Sequence, residues 1–169
     1  KLLQKCKAIP CDKIKAHEKI CCAISGGRSN GLKLLKAIKT KQKNYAKDRD
    51  FPSSETSHLS AHHKFGTISI RETYWEAKEQ LSGIHRKTFI SQLYWRDFYY
   101  RIIDNHPHVL GSAFKSDYDN IKWSKNKTHF EAWCQGKTGF PIVDAGMRQL
   151  NETGWMHNTL RMIVASFLT

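Results

Sequence analysis

The sequence predicts an all-α fold built from several short helices and one long one. Three observations carry this. Apolar residues recur at a helical spacing of about 3.6 along most of the chain. Most of these stripes open at a helix-capping residue and close at Gly or Pro. No stretch alternates polar and apolar residues as a half-buried strand would.

Taken in order, Asp12 caps a first expected helix, with Ile14, Ile20, Cys21 and Ile24 as its apolar positions and Gly26-Gly27 as its stop. Asn30 caps the next, which carries Leu34, Leu35 and Ile38 on one face and runs to about Lys47. Residues 48–60 are polar, contain Pro52 and read as an ordered loop. Ser69 and Glu72 form a capping-box pattern ahead of Tyr74, Trp75 and Ala77. A long helix, rich in aromatic residues, covers Arg86 to Ile103 and stops before His106-Pro107. Residues 111–127 read as irregular. A short helix from His129 to Gln135 closes at Gly136. Pro141 suits the first turn of another helix, with Ile142, Val143, Met147 and Leu150 as its stripe and Gly154 as its stop. A last helix starts near Met156.

With 169 residues the chain is long enough for one compact domain, and 40% hydrophobic against 25% charged residues is a globular balance. The formal net charge of +13 suits a polyanionic partner such as nucleic acid. Much of the excess is lysine in the first third, from Lys5 to Lys47, which is equally the pattern of a solvated face. No run of about 18 apolar residues exists, so no membrane span is expected. The first residue is Lys1, no signal peptide precedes the helices, and the last residues, Ser166 to Thr169, fall inside an apolar run. Both ends therefore read as truncated. The five cysteines, Cys6, Cys11, Cys21, Cys22 and Cys134, are odd in number and irregular in spacing. They support neither a disulfide framework nor a zinc site, and they fit a reducing compartment, cytoplasm or nucleus, rather than secretion. Among the nine histidines, His58, His62 and His63 have helical spacing and His106 and His108 flank Pro107. Neither set gains a Cys or carboxylate at motif spacing, so no metal is expected.

Three stretches are richer in special side chains than a plain helical domain needs. In Tyr45 to Ser60, the hydroxyls of Thr56, Ser57 and Ser60 lie in a loop that suits either phosphate binding or capping of the following helix. In Gln92 to Tyr100, Gln92, Trp95, Arg96 and Tyr99 share one helical side. Such a stripe either packs in a core or presents a surface that stacks on a base and hydrogen-bonds its edge. In Gly154 to Met162, Trp155, Asn158 and Met162 share a face, and His157 reads as a structural histidine.

These stretches, with Phe65-Gly66, Ile68-Ser69, Trp95-Arg96-Asp97-Phe98-Tyr99, Gly136-Lys137-Thr138-Gly139-Phe140-Pro141-Ile142-Val143-Asp144-Ala145, Met147-Arg148-Gln149-Leu150 and Gly154-Trp155-Met156-His157-Asn158, resemble the photolyase and cryptochrome family in order and spacing. The likeness covers residues from about 26 to 169. It implies that these are the first part of the family's helical FAD- and DNA-binding domain, with residues 1–25 as a helical lead-in or interdomain linker. By resemblance, Tyr45 and Thr56, Ser57, His58, Leu59 and Ser60 hold the FAD diphosphate and ribityl. Phe89 stands where many relatives have Trp against the flavin. Gln92, Arg96, Trp155, Asn158 and Arg161 line the FAD pocket or its border with the lesion. Arg49, Gln92, Trp95, Tyr99, Asn158, Thr159 and Met162 face DNA, with Trp95 stacking on the flipped dimer. Trp123 matches the outermost Trp of the chain that photoreduces FAD.

The resemblance also implies the activity: light-driven, FAD-dependent splitting of cyclobutane pyrimidine dimers, a carbon–carbon lyase reaction. A cryptochrome-type photoreceptor and an inactive fragment with residual DNA binding are the other readings. The sequence departs from the family in several places. Gln92 stands where many dimer-repairing relatives have Glu, and relatives that repair the (6-4) photoproduct commonly have Gln there. Those same relatives place His where this chain has Asn158 and Met162. Thr159 replaces a frequent Arg. The family's next segment, with the flavin-facing Asp and Asn, is absent. The full FAD pocket is therefore expected to need that segment, supplied by a separate chain if at all. The antenna chromophore is expected to bind elsewhere, and the partner is DNA carrying pyrimidine dimers.

Overall fold

The computed structural model describes residues 24–169, so the helix expected from Asp12 lies almost wholly outside the described residues. Among the described residues there are nine α-helices and no strand. They are α1 (Arg28–Lys36), α2 (Ile38–Lys41), α3 (Tyr45–Asp48), α4 (Leu59–Lys64), α5 (Ile70–Gln80), α6 (Gly83–Asn105), α7 (Lys127–Cys134), α8 (Pro141–Thr153) and α9 (Asn158–Leu168). A short 3₁₀ turn at Pro107–Leu110 precedes the stretch 111–127 expected to be irregular, and another at Ser116–Tyr118 falls within it. None of these helices is long and apolar enough to cross a membrane.

Several starts and stops are as the sequence predicts. Ser69 Oγ accepts from the Glu72 amide at 3.0 Å, and Glu72 Oε2 accepts from the Ser69 amide at 2.9 Å, a complete capping box. Arg28 donates to the same Glu72 carboxylate at 2.6 Å, which joins the start of α5 to α1 and holds that carboxyl down at about 2. Pro141 opens α8 and Gly154, at φ 69, closes it. His106 ends α6, which starts three residues earlier and ends two residues later than the expected Arg86–Ile103.

Others differ for identifiable reasons. Asn30 is not a cap: α1 begins earlier, after Gly27, and Asn30 Nδ2 donates back to the Gly26 carbonyl at 2.8 Å. The single helix expected as far as Lys47 is broken after Lys36 and again after Lys41. No Gly or Pro causes either break. Burial does: Ile38 and Gln42 are 1% and 2% exposed, and the interruptions turn both inward. The α7 helix starts two residues earlier than expected, because Asn126 Oδ1 accepts from the His129 amide at 3.2 Å. The α9 helix starts two residues later, with His157 as its cap: its Nδ1 accepts from the Thr159 amide at 3.2 Å.

Two apolar cores organise the helices. Leu35, Ile38, Leu59, Ile68, Ala77, Leu81 and Phe89 form one, drawn from α1 to α6. Val143, Met147, Met156, Leu160 and Val164 form the other, drawn from α8 and α9, with Trp133 of α7 packed against it. Trp133 Nε1 donates to the Val164 carbonyl at 3.1 Å, which fixes α7 onto α9. The loop into α8 is tied by Asp144. Its carboxylate accepts from the Thr138 amide and hydroxyl, each at 2.7 Å, and from the Gly139 amide at 3.0 Å. The Thr138 hydrogen bonds hold the Asp144 carboxyl below the ordinary carboxylate range. Gly136, at φ 65, turns so closely over this helix that a Cβ there would lie 2.8 Å from the Asp144 carbonyl oxygen.

In the first core, α1 crosses α4 at Gly31. A Cβ at this position would lie 2.5 Å from Ile68 Cγ1 and 2.9 Å from His62 Nδ1, and both of those side chains are buried. Gly31→Ala should therefore lower stability by about 1–3 kcal/mol through overpacking, despite the better helix propensity of Ala. Urea unfolding measures this, and an unchanged midpoint would show that the crossing has room to spare.

Candidate functional site

A cleft of about 740 Å³ opens between the two groups of helices. One wall comes from α3, the loop before α4, α4 and α6, and the other from the α8–α9 corner. Helix α6 contributes most. Its Phe89 belongs to the first core, Leu93 one turn on is buried as well, and Gln92, Trp95, Arg96 and Tyr99 line the cleft. The aromatic stripe thus packs at one edge and is bare at the other. Trp95 and Tyr99 are 54% and 61% exposed and stand with Phe98 in one ring cluster, Trp95 lying 5.4 Å from Phe98 and 6.2 Å from Tyr99. The Arg96 guanidinium lies over the Tyr100 ring at 4.5 Å.

Other lining residues are more polar. Tyr45 packs edge-on against Phe89 at 4.9 Å, and burial raises its phenol above the ordinary value. Thr56, Ser57, His58, Leu59 and Ser60 line the cleft together with Arg49 and Lys64. The capping role open to these hydroxyls is barely used: Ser57 Oγ accepts from the Leu59 amide at a long 3.5 Å, and His58, which occupies the cap position of α4, makes no side-chain cap bond. From the other wall come Trp155, Met156, His157, Asn158, Arg161 and Met162. Arg161 Nε donates to the Met156 carbonyl at 3.0 Å, which pins its guanidinium at the corner. The His58 and Trp155 rings meet across the gap at 4.5 Å.

Two residues singled out from the sequence are not in this lining. Thr159 lies behind it, where its hydroxyl donates to the Arg49 carbonyl at 3.5 Å. Trp123 stands apart in the segment between α6 and α7, 58% exposed. Conversely, the cleft includes His63, Lys64, Leu93, Tyr100, Met156 and His157, which the sequence reading did not select. Tyr100 follows Arg96 by one turn, so extending the α6 stripe would have found it. His63 carries the same signal on α4, one turn from Leu59 and Ser60. Met156 and His157 have none, because they join the cleft only through the pairing of α8 with α9.

The electrostatics favour anions and keep the imidazoles neutral. Arg49, Lys64, Arg96 and Arg161 all line the cleft, and no Asp or Glu does. His63 donates to or accepts from Thr73 Oγ1 at 2.8 Å and is pushed down to about 4, first by burial and then by the charges of Arg96 and His62. Burial also lowers His58 and His157. The arrangement is chemically a long, cationic, aromatic-walled slot. It suits an elongated ligand with an anionic part and planar rings.

Fold and cleft together define a helical domain with a cationic, aromatic-walled slot, and comparison with known proteins makes the class specific. Residues 89–169 match the family model described as the FAD binding domain of DNA photolyase. Over 135 residues the chain is 47% identical to the deoxyribodipyrimidine photo-lyase of Neurospora crassa, a match covering 73% of this chain and 22% of that relative. A class III photolyase from Agrobacterium tumefaciens superposes with a TM-score of 0.83 at 36% identity, covering 86% of this chain and 31% of that one. The photolyase from Sulfolobus tokodaii, solved with two FAD molecules, superposes with a TM-score of 0.75 at 44% identity, covering 85% and 31%. The chain belongs to the photolyase and cryptochrome family. It spans less than a third of the length of each of these relatives.

The depressed His63 has a consequence for stability. Its unfolded value is about 6.5 and its folded value about 4, so the folded state binds fewer protons between them. Its contribution, on the order of 2–3 kcal/mol, is present above pH ~6.5 and is lost as pH falls toward 4. The expected result is that wild type and His63→Gln differ in unfolding free energy by an amount that changes across this window. A constant difference would show that His63 titrates normally.

Proposed function

We propose that this chain is the flavin- and lesion-binding part of a DNA photolyase that splits cyclobutane pyrimidine dimers in light. The observation that carries the reading is a single cleft lined both by the Thr56–Ser60 loop and by the bare aromatic face of α6. In this reading residues 26–169 are the first part of the helical domain, and residues outside the chain complete the flavin pocket and carry any antenna chromophore. A chain spanning under a third of its relatives supports that division. The work is then done wherever the cell keeps its DNA.

The donor set fits FAD. Thr56, Ser57 and Ser60 offer hydroxyls and Lys64 offers charge for a diphosphate, while Tyr45, Phe89 and Trp155 offer apolar walls. Gln92, Arg96, Asn158 and Arg161 border the place where cofactor and lesion meet. When bound and reduced, the flavin supplies the electron that opens the cyclobutane ring. The chain's own residues bind, flip and orient the substrate. A dimer is already poorly stacked, so extruding it costs less than extruding a normal base. Trp95 replaces the lost stacking, worth about 1–3 kcal/mol per base. Arg49 and Arg161 hold flanking phosphates. Gln92 Nε2 is engaged only by long bonds to the Thr88 carbonyl at 3.4 Å and Ser91 Oγ at 3.2 Å, so it turns to a thymine carbonyl at little cost. Trp123, exposed at the surface, serves as the outer end of an electron path to the flavin.

The same residues argue against the (6-4) photoproduct as substrate. That chemistry needs a proton donor. Asn158 and Met162 provide none, and the imidazoles that do line the cleft, His58, His63 and His157, are depressed in pKa by burial. Cyclobutane splitting needs electron transfer without such an acid.

Three measurements test this. The 169-residue chain should bind FAD weakly, and tight stoichiometric binding would refute the division of the pocket. Its DNA affinity should fall with salt, with a log–log slope of about −2 if Arg49 and Arg161 each meet a phosphate; an affinity indifferent to salt would remove the phosphate-tracking surface. Placed in a related full-length photolyase, residues 26–169 should support blue-light repair of cyclobutane dimers. There Trp95→Ala should cut the preference for damaged DNA about tenfold or more with the flavin spectrum intact. Repair of (6-4) products alone would overturn the substrate, and loss of flavin would show Trp95 to be misassigned.

A further inference from the structure

His58 carries two local penalties at once. It is the non-glycine residue with a left-handed backbone among those described, at φ 53 and ψ 15, a region that Gly enters freely, Asn with ease and other side chains with strain. Its Nδ1 is also buried without a hydrogen-bond partner. A position kept for stability alone would hold Gly or Asn. Strain that persists in a cleft points to a role for the side chain.

The ring's packing shows what that role is. His58 lies on Trp155 with centroids 4.5 Å apart and planes 43° to each other, and Trp155 in turn lies 6.2 Å from the His157 ring. The loop that carries His58 borders the first core, and Trp155 belongs to the corner that closes the second. The contact therefore bridges two helix groups whose apolar cores are separate. The Thr159 bond to the Arg49 carbonyl, at 3.5 Å, is a weaker bridge nearby. We propose that His58 is a positioning residue: its strained ring, held on Trp155, sets the distance between the Thr56–Ser60 loop and the α8–α9 corner, and with it the width of the cleft presented to the cofactor. This rests on the reading that the cleft takes FAD.

The stack also makes the device sensitive to protons. The groups facing His58 are Glu55 and Lys41 on its own side and His157 across the gap. Burial of the ring lowers its pKa, and Glu55 opposes this only in part. A proton that binds at low pH charges a half-buried ring, which must then leave the indole to regain water.

His58→Asn and His58→Gly test the proposal, since both accept the left-handed backbone and neither keeps the stack. Asn is the cleaner probe, because Gly also loosens the unfolded chain. FAD is titrated into the 169-residue chain and followed by NMR shifts of the imidazole and indole resonances, which detect weak binding. His58→Asn should show a Tm equal to or above wild type and a 5- to 30-fold loss of FAD affinity. Wild-type affinity should also fall as pH drops below the ordinary histidine range, and fall more steeply than that of the variant. A lower Tm with FAD affinity retained, or an identical pH profile in the two proteins, would overturn the proposal and leave His58 a structural residue. Absence of FAD binding by the wild type would overturn the cleft assignment itself, and this inference with it.

Discussion

Everything in this chain depends on α6 serving two masters along its length. One side of the helix must be apolar enough to close the first core, and Phe89 does this at 4% exposure. The adjoining side must stay polar and aromatic, because it forms the longest wall of the cleft. A helix turns 100° per residue, so the two sides differ by a single step in sequence, and Gln92 follows directly on the partly buried Ser91 and precedes the buried Leu93. Any slip of α6 against α3 and α5 would bury Trp95 or expose Phe89. The first core is therefore what aims the cleft-facing side chains, and core packing and the cleft cannot be separated along this element.

The second constraint is that the cleft has no continuous core beneath it. Apolar packing stops on either side, and polar or aromatic contacts bridge the gap. This is a natural place for a ligand, since burying a cofactor between two preformed groups gains contact area without disturbing either. It is also where free energy is stored in unfavourable form: an αL histidine, unpartnered nitrogens on His58 and His157, and imidazoles depressed in pKa by burial. Such groups weaken the empty chain and become useful once a ligand supplies polar partners.

How much of this could be read from the sequence depends on how local each determinant is. The Ser69–Glu72 box, Pro141, Gly154 and the stop at His106 act within one turn of themselves, and each sits where the sequence predicts. The breaks on either side of α2 leave no such mark. They fall where Ile38 is drawn into a core shared with α4, α5 and α6 and Gln42 is buried, which a local stripe cannot reveal. Asn30 misleads for the opposite reason: it has the right chemistry for a cap but is spent on the Gly26 carbonyl one turn back.

The site divides along the same line. Residues on α6 and in the 56–60 loop were legible, because a stripe or a hydroxyl cluster is a pattern within one segment. His157 was not. On sequence it is an ordinary histidine between a Met and an Asn, and as the cap of α9 it has a sufficient structural reason to exist. Only the fold shows that the same ring is fully buried, keeps Nε2 without a partner, and stands behind Trp155 at the floor of the cleft. A residue that caps with one nitrogen and leaves the other free has two jobs available to it, and the sequence can show only the first. The same holds for Trp155, whose indole is readable as an aromatic before a helix but whose function depends on a histidine almost a hundred residues earlier meeting it across the gap.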